Sequence, residues 1–211
     1  MKNSAIQSPF EEKLNTISHA IGALLGIAGL VLLVVFNSYK TDWSLFSVIV
    51  YGISIIILFT ASTLYHSTTD EKKKHKFRIV DHISIYALIA GTYTPVLLIT
   101  LIHSYGWHLF WTVWGIAAFG VVIKLFFTGR FEIFSTLLYL VMGWLIVFDF
   151  SNLSSAIGSD GILFLFAGGL SYTVGIIFYA IHKIPYNHVI WHLFVLAGAI
   201  FHFLMIFFYV I

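Results

Sequence analysis

Ser44-Leu-Phe-Ser-Val-Ile-Val-Tyr-Gly-Ile-Ser-Ile-Ile-Ile-Leu-Phe-Thr-Ala-Ser-Thr-Leu-Tyr-His66 contains no Asp, Glu, Lys or Arg. As a helix it would be about 35 Å long, enough to cross the roughly 30 Å hydrocarbon core of a bilayer. It gives way to Asp70-Glu71-Lys72-Lys73-Lys74-His75-Lys76-Phe77-Arg78, a step in polarity that marks one end of a membrane span. Similar apolar runs recur along the chain. The reading is seven spans, about 17–36, 44–66, 80–101, 107–127, 131–149, 161–181 and 188–210. Unbroken runs of this length predict helices, because barrel strands would be about 10 residues of alternating polarity.

The composition agrees. Of 211 residues 60% are hydrophobic and 9% charged, against about 25% charged in a soluble domain. There is no cysteine, so disulfides and thiolate metal sites are excluded and any metal falls to His, Asp, Glu or water. Residues 1–16 form a polar segment without the apolar core and small-residue cleavage site of a signal peptide. The first span is therefore expected to be retained. Residues 17–211 are read as one membrane domain with short connections and no internal repeat.

Orientation follows from the basic residues. With seven spans, Lys2, Lys13, Lys72, Lys73, Lys74, Lys76, Arg78, Lys124, Arg130 and Lys183 fall on one side, and only Lys40 on the other. The expected architecture is an all-α, seven-helix transmembrane bundle in the cell membrane, N-terminus cytoplasmic and C-terminus outside. The Lys72–Arg78 run is read as a solvated topology anchor; nothing points to nucleic acid. Pro95, in Gly91-Thr92-Tyr93-Thr94-Pro95, removes a backbone donor inside the third span and predicts a kink, with threonine hydroxyls available to the freed carbonyls.

Polar residues gather at the cytoplasmic ends of these spans. Glu12-x-x-Asn15-x-x-Ser18-His19 opens the first, Ser62-x-x-x-His66 closes the second, Asp81-His82 opens the third, and His188-x-x-x-His192 opens the last. Ionisable side chains at membrane depth are costly and mark function. A spacing of four turns both imidazoles of the last pair to one helix face. His66 would supply a third nitrogen, and three protein ligands with an open position is the pattern of catalytic zinc. Other divalent metals suit the same ligands.

Asp81 is placed beside the ion, either orienting a water as general base or coordinating directly. Ser62 would contact substrate or a ligand, or bond its own helix backbone. His19 is expected to hydrogen-bond with Asn15 or Ser18. His202, too far along the helix to share the ion, is read as a satisfied core histidine. His82 and His182 have the depth but no partner spacing.

These four motifs, in this order, resemble the signatures of the haemolysin III-like branch of the progestin and adipoQ receptor superfamily. Gly91-Thr92-Tyr93-Thr94-Pro95 is similar to that bacterial branch too. The resemblance covers essentially the whole chain. It implies a seven-helix bundle with zinc near the cytoplasmic leaflet, ligands His66, His188 and His192, a water held by Asp81, and Ser62 beside it. The superfamily includes alkaline ceramidases, so it also implies hydrolysis of a lipid amide. The leading expectation is a zinc-dependent hydrolase of a membrane lipid amide or ester. The alternatives are a membrane-state sensor with structural zinc, binding lipid without cleaving it, and a haemolysin-like cytolytic protein. No protein partner is implied.

Overall fold

The computed structural model describes residues 7–211, so Lys2 and the first part of the N-terminal segment lie outside the described residues. Helix α1 (Pro9–Val35) begins two turns before its apolar stretch because a capping box starts it. The Ser8 hydroxyl accepts from the Glu11 amide at 3.2 Å, the Glu11 carboxylate accepts from the Ser8 amide at 2.8 Å, and Pro9 takes the first turn. The cap satisfies amides that would otherwise lack partners, and proline fits where no donor is needed.

After α2 (Ser44–Ser67), Asp70 caps α3 (Glu71–Pro95) by accepting from the Lys73 amide at 2.8 Å. The basic run that reads as a loop in the sequence is therefore the first two turns of α3. Near its other end Thr92 and Thr94 donate to the carbonyls of Leu88 and Ala90, each at 2.8 Å. At Pro95, which has no N–H to continue the α-helical ladder, the chain passes into a π-helical turn, Val96–Thr100.

Helices α4 (Gly106–Phe127), α5 (Glu132–Trp144), α6 (Phe150–Ala180) and α7 (Asn187–Met205) complete the bundle. A 3₁₀ turn, Leu145–Asp149, joins α5 to α6, and a π turn, Ile206–Val210, follows α7. There is no strand among the described residues.

Six helical stretches are long and apolar enough to cross a membrane, with Glu132–Ala180 counting as one stretch of 49 residues. That stretch holds two of the spans expected from the sequence, and it is not straight. Gly158 interrupts it at φ 67° and ψ −177°, a conformation open to glycine alone. Trp144 Nε1 donates to Thr173 Oγ1 at 3.3 Å, and the Trp144 and Phe166 rings lie 6.3 Å apart. On a straight helix residues 144 and 173 would be about 43 Å apart. The stretch folds back on itself.

Polar side chains collect at two opposite ends of the bundle. One end joins the start of α1 to the end of α2 and start of α3 through Glu12, His66 and Lys74, and α3, α4 and α5 through Arg78, Lys124 and Glu132. At the other, Lys40 reaches the Val210 carbonyl at 2.9 Å, Thr41 the Leu98 carbonyl at 2.9 Å, and Ser104 the Asp149 carboxylate at 2.9 Å. Between these ends lie Tyr51, Phe59, Tyr86, Leu97 and Leu101, all fully buried. A Cβ on Gly120 would collide with the Tyr86 ring, so α4 approaches α3 there as closely as a glycine permits. Outward-facing side chains are apolar, including Trp111, Phe126, Ile133, Phe148 and Leu163.

Candidate metal centre

The end of α2 and the start of α7 meet at the polar end where Glu12 lies. His188 and His192 are one turn apart on α7, their ring centroids 4.7 Å from each other. His66 arrives from α2 with its ring 5.1 Å from His188 and 4.7 Å from His192. Taking one ring nitrogen from each, the three candidate ligand atoms lie within 4.8 Å of one another. Tetrahedral zinc with bonds of 2.0–2.1 Å would bring such nitrogens to about 3.4 Å, a closure that small ring rotations supply.

His66 and His192 are almost fully buried, yet His66 Nε2 and His192 Nδ1 have no hydrogen-bond partner. A buried polar atom left unpaired costs roughly 1–3 kcal/mol, and an ion held by the triad would take His66 Nε2, the nitrogen that Glu12 leaves free. The three histidines could hold one metal ion, and the donor set of three imidazoles fits a zinc-like divalent ion.

Ser62, Asp81, His188 and His192 line one cavity of about 50 Å³ at this point. His19 lines the same cavity, contrary to the expectation that Asn15 or Ser18 would take up its ring. The ring stacks on His192 with centroids 3.7 Å apart, and neither nitrogen is hydrogen-bonded. Ser18 instead donates to the Asn15 carbonyl at 2.9 Å, and the Asn15 amide to Gln7 at 3.0 Å. His202 is in the bundle interior, its Nε2 3.3 Å from the Leu165 carbonyl.

Two carboxylates carry contacts that spacing along the chain does not announce. Glu12 Oε2 lies 2.6 Å from His66 Nδ1, while Oε1 accepts from Lys74 at 2.7 Å. Glu132, also on the cavity wall, accepts from the fully buried Lys124 at 2.7 Å and from Arg78 at 3.4 Å, with His82 Nδ1 3.8 Å away. The signal for Glu12 was its place on one polar face with Asn15 and His19. Lys124 and Arg78 read from the sequence as topology charges, and nothing marked Glu132.

Two larger apolar cavities adjoin the histidine cavity in series, each sharing wall residues with the one before it. The next, about 110 Å³, shares Leu58, Ile85, Tyr139, Ile176, Trp191 and Val195 with it. The furthest, about 260 Å³, shares Thr92, Tyr93, Gly143, Trp144, Gly169 and His202 with the second.

An all-helical bundle with an apolar exterior and a histidine triad at one polar end defines a multi-pass membrane protein with a candidate metal site. Residues 7–203 match the family model described as haemolysin-III related. The chain is 46% identical over 200 residues to the haemolysin-3 homolog of Bacillus subtilis (strain 168), covering 94% of each chain. It is 45% identical over 202 residues to haemolysin-3 of Bacillus cereus, covering 95% of this chain and 92% of that one. It is also 30% identical over 204 residues to the human monocyte to macrophage differentiation factor, covering 92% and 82% respectively. The chain belongs to the haemolysin III family.

Proposed function

We propose that this protein is a zinc-dependent hydrolase of a lipid amide or ester, with zinc held by His66, His188 and His192. The observation that carries this reading is that apolar cavities adjoin the triad's own cavity through shared walls. A headgroup-proximal bond would sit beside the histidines while an acyl chain runs inward past Tyr139 and Trp191 to Gly143 and His202. Zinc, when bound, would act as Lewis acid and lower the pKa of a water to about 7. The chain's own residues do the rest. Asp81 accepts a proton as water oxygen bonds to the carbonyl carbon, and returns it to the departing nitrogen or oxygen as that bond breaks. Ser62, on the wall of the same cavity, would hydrogen-bond the substrate carbonyl. Tyr139, Trp191 and Ile176 exclude bulk water from the far side of the cavity.

The fold-back within Glu132–Ala180 supports reading it as two membrane passes, for seven spans in all, and the one-sided basic residues support a cytoplasmic N-terminus. The triad then lies at the inner leaflet. Purified protein is expected to carry one zinc per chain and to release fatty acid from an N-acyl lipid, with His188→Ala abolishing both. Equal turnover by that variant would refute the assignment.

A second reading takes the same zinc as structural, in a sensor that binds lipid without cleaving it. Its support is that the triad ties α2 to α7. Strong stabilisation by zinc with no product from any lipid would select it. Lysis, the activity in the names of the two Bacillus relatives, is tested by whether solutes of graded size protect red cells exposed to the protein.

A further inference from the structure

We infer that Glu12 is a positioning residue for the metal site, fixing which nitrogen of His66 faces the ion; this rests on the zinc reading above. An ionised carboxylate only accepts hydrogen bonds. At 2.6 Å from Glu12 Oε2, His66 Nδ1 must therefore carry the ring proton. The lone pair is then on Nε2, the buried nitrogen without a partner. Lys74, bonded to its other oxygen at 2.7 Å, favours this orientation of the carboxylate.

Its backbone is fixed as well. The capping box at Ser8 sets the first turn of α1, and Thr16 Oγ1 donates to the Glu12 carbonyl at 2.8 Å. Three helices thus converge on one imidazole: α1 brings the acceptor, α2 the histidine, α3 the clamp. Among the described residues, neither His188 nor His192 has a carboxylate within ion-pairing distance, so Glu12 is the one acid paired directly with a triad imidazole. A hydrogen-bonded carboxylate behind a ligating imidazole fixes its tautomer and raises its basicity, and its loss costs metal affinity about 10–100-fold.

The discriminating variant is Glu12→Gln, which keeps the volume. A glutamine oxygen can accept from His66 only by turning its NH₂ toward the Lys74 ammonium, donor against donor, so one of the two contacts fails. Detergent-solubilised wild type, E12Q and His66→Ala are titrated with zinc against a competing chelator, and with cobalt(II) while recording its visible spectrum. Expected are a 10–100-fold weaker zinc affinity for E12Q, a shifted cobalt spectrum, and a metal-free melting temperature like that of wild type. A merely structural role would move the melting temperature and leave the cobalt spectrum alone. Wild-type affinity and an unchanged spectrum in E12Q would overturn the inference while leaving the triad standing. A wild-type chain that takes up no zinc would overturn both. Should E12Q not fold, Glu12→Asp, with its carboxylate withdrawn by one methylene, carries the test: weakened zinc binding supports the assignment and wild-type affinity overturns it.

Discussion

Replacing Gly143 with leucine places a side chain in the path proposed for an acyl group. Gly143 lines both apolar cavities, and a Cβ built on it meets nothing within 4 Å. Its carbonyl, which accepts from the Tyr93 hydroxyl at 2.9 Å, is left unchanged. The leucine adds four carbons, about 120 Å³ if each takes roughly the space of a liquid water, in a cavity of about 260 Å³. A bilayer is as apolar as the cavity wall, so the chain enters for packing rather than to escape water. At about 24 cal/mol per Å³ of unfilled space, the packing denied to it is about 2.9 kcal/mol, on the order of 100-fold in kcat/KM.

The loss should depend on chain length. Gly143 lies 11 residues along α5 from Glu132, about 16 Å into the bundle and close to half the hydrocarbon core, the depth of one leaflet's acyl chain. Short acyl chains that end before that depth should be cleaved at the wild-type rate. The assay is fatty acid release from N-acyl lipids of graded length, with the melting temperature expected to hold or rise as helix propensity improves on glycine. An equal loss at every length, or none at any, would refute the cavity as the acyl site.

The buried ion pair at the polar end should be asymmetric. Glu132→Ala strands the fully buried Lys124 ammonium and costs about 3–5 kcal/mol, a drop on the order of 10 °C in melting temperature. Lys124→Met leaves Glu132 with Arg78 and the Gly129 amide and should move the midpoint far less; the reverse order would contradict the geometry. Gly120→Val drives a side chain into the Tyr86 ring and should cost about 1–3 kcal/mol, measured in the same melts. With no native cysteine in the chain, Lys72→Cys and Lys40→Cys should label with an impermeant thiol reagent from inside and outside respectively. Labelling of both from one side would reject the seven-span topology.

What could be read from the sequence divides along one line. Properties carried by a single helix were visible: the apolar run of Ser44–His66, the one-turn spacing of His188 and His192, the missing donor at Pro95. The triad also emerged, because its members mark the same ends of spans and topology sets their depth. Contacts made between helices by unspaced residues were not visible. Nothing along the chain pairs Glu12 with His66 or Glu132 with Lys124, since the side chains meet only once α1, α2, α4 and α5 are packed. His19 shows the converse. Its local hydrogen-bonding partners were plausible by spacing, but packing against His192 turned the ring away from them. Helices also begin ahead of the apolar spans for a simple reason. Capping by Ser8 and Asp70 extends α1 and α3 into polar sequence that hydropathy assigns to loops.

The triad draws His66 from the second helix and both remaining imidazoles from the seventh. More than half of the polypeptide must therefore be synthesised and inserted between the first donor and the last. A nascent chain ending before α7 can present His66 and Glu12 but has no partner histidines to complete the cage. Under the proposed metal reading, acquisition of the ion would be a late event in biogenesis, and its uptake would report that insertion has run to completion.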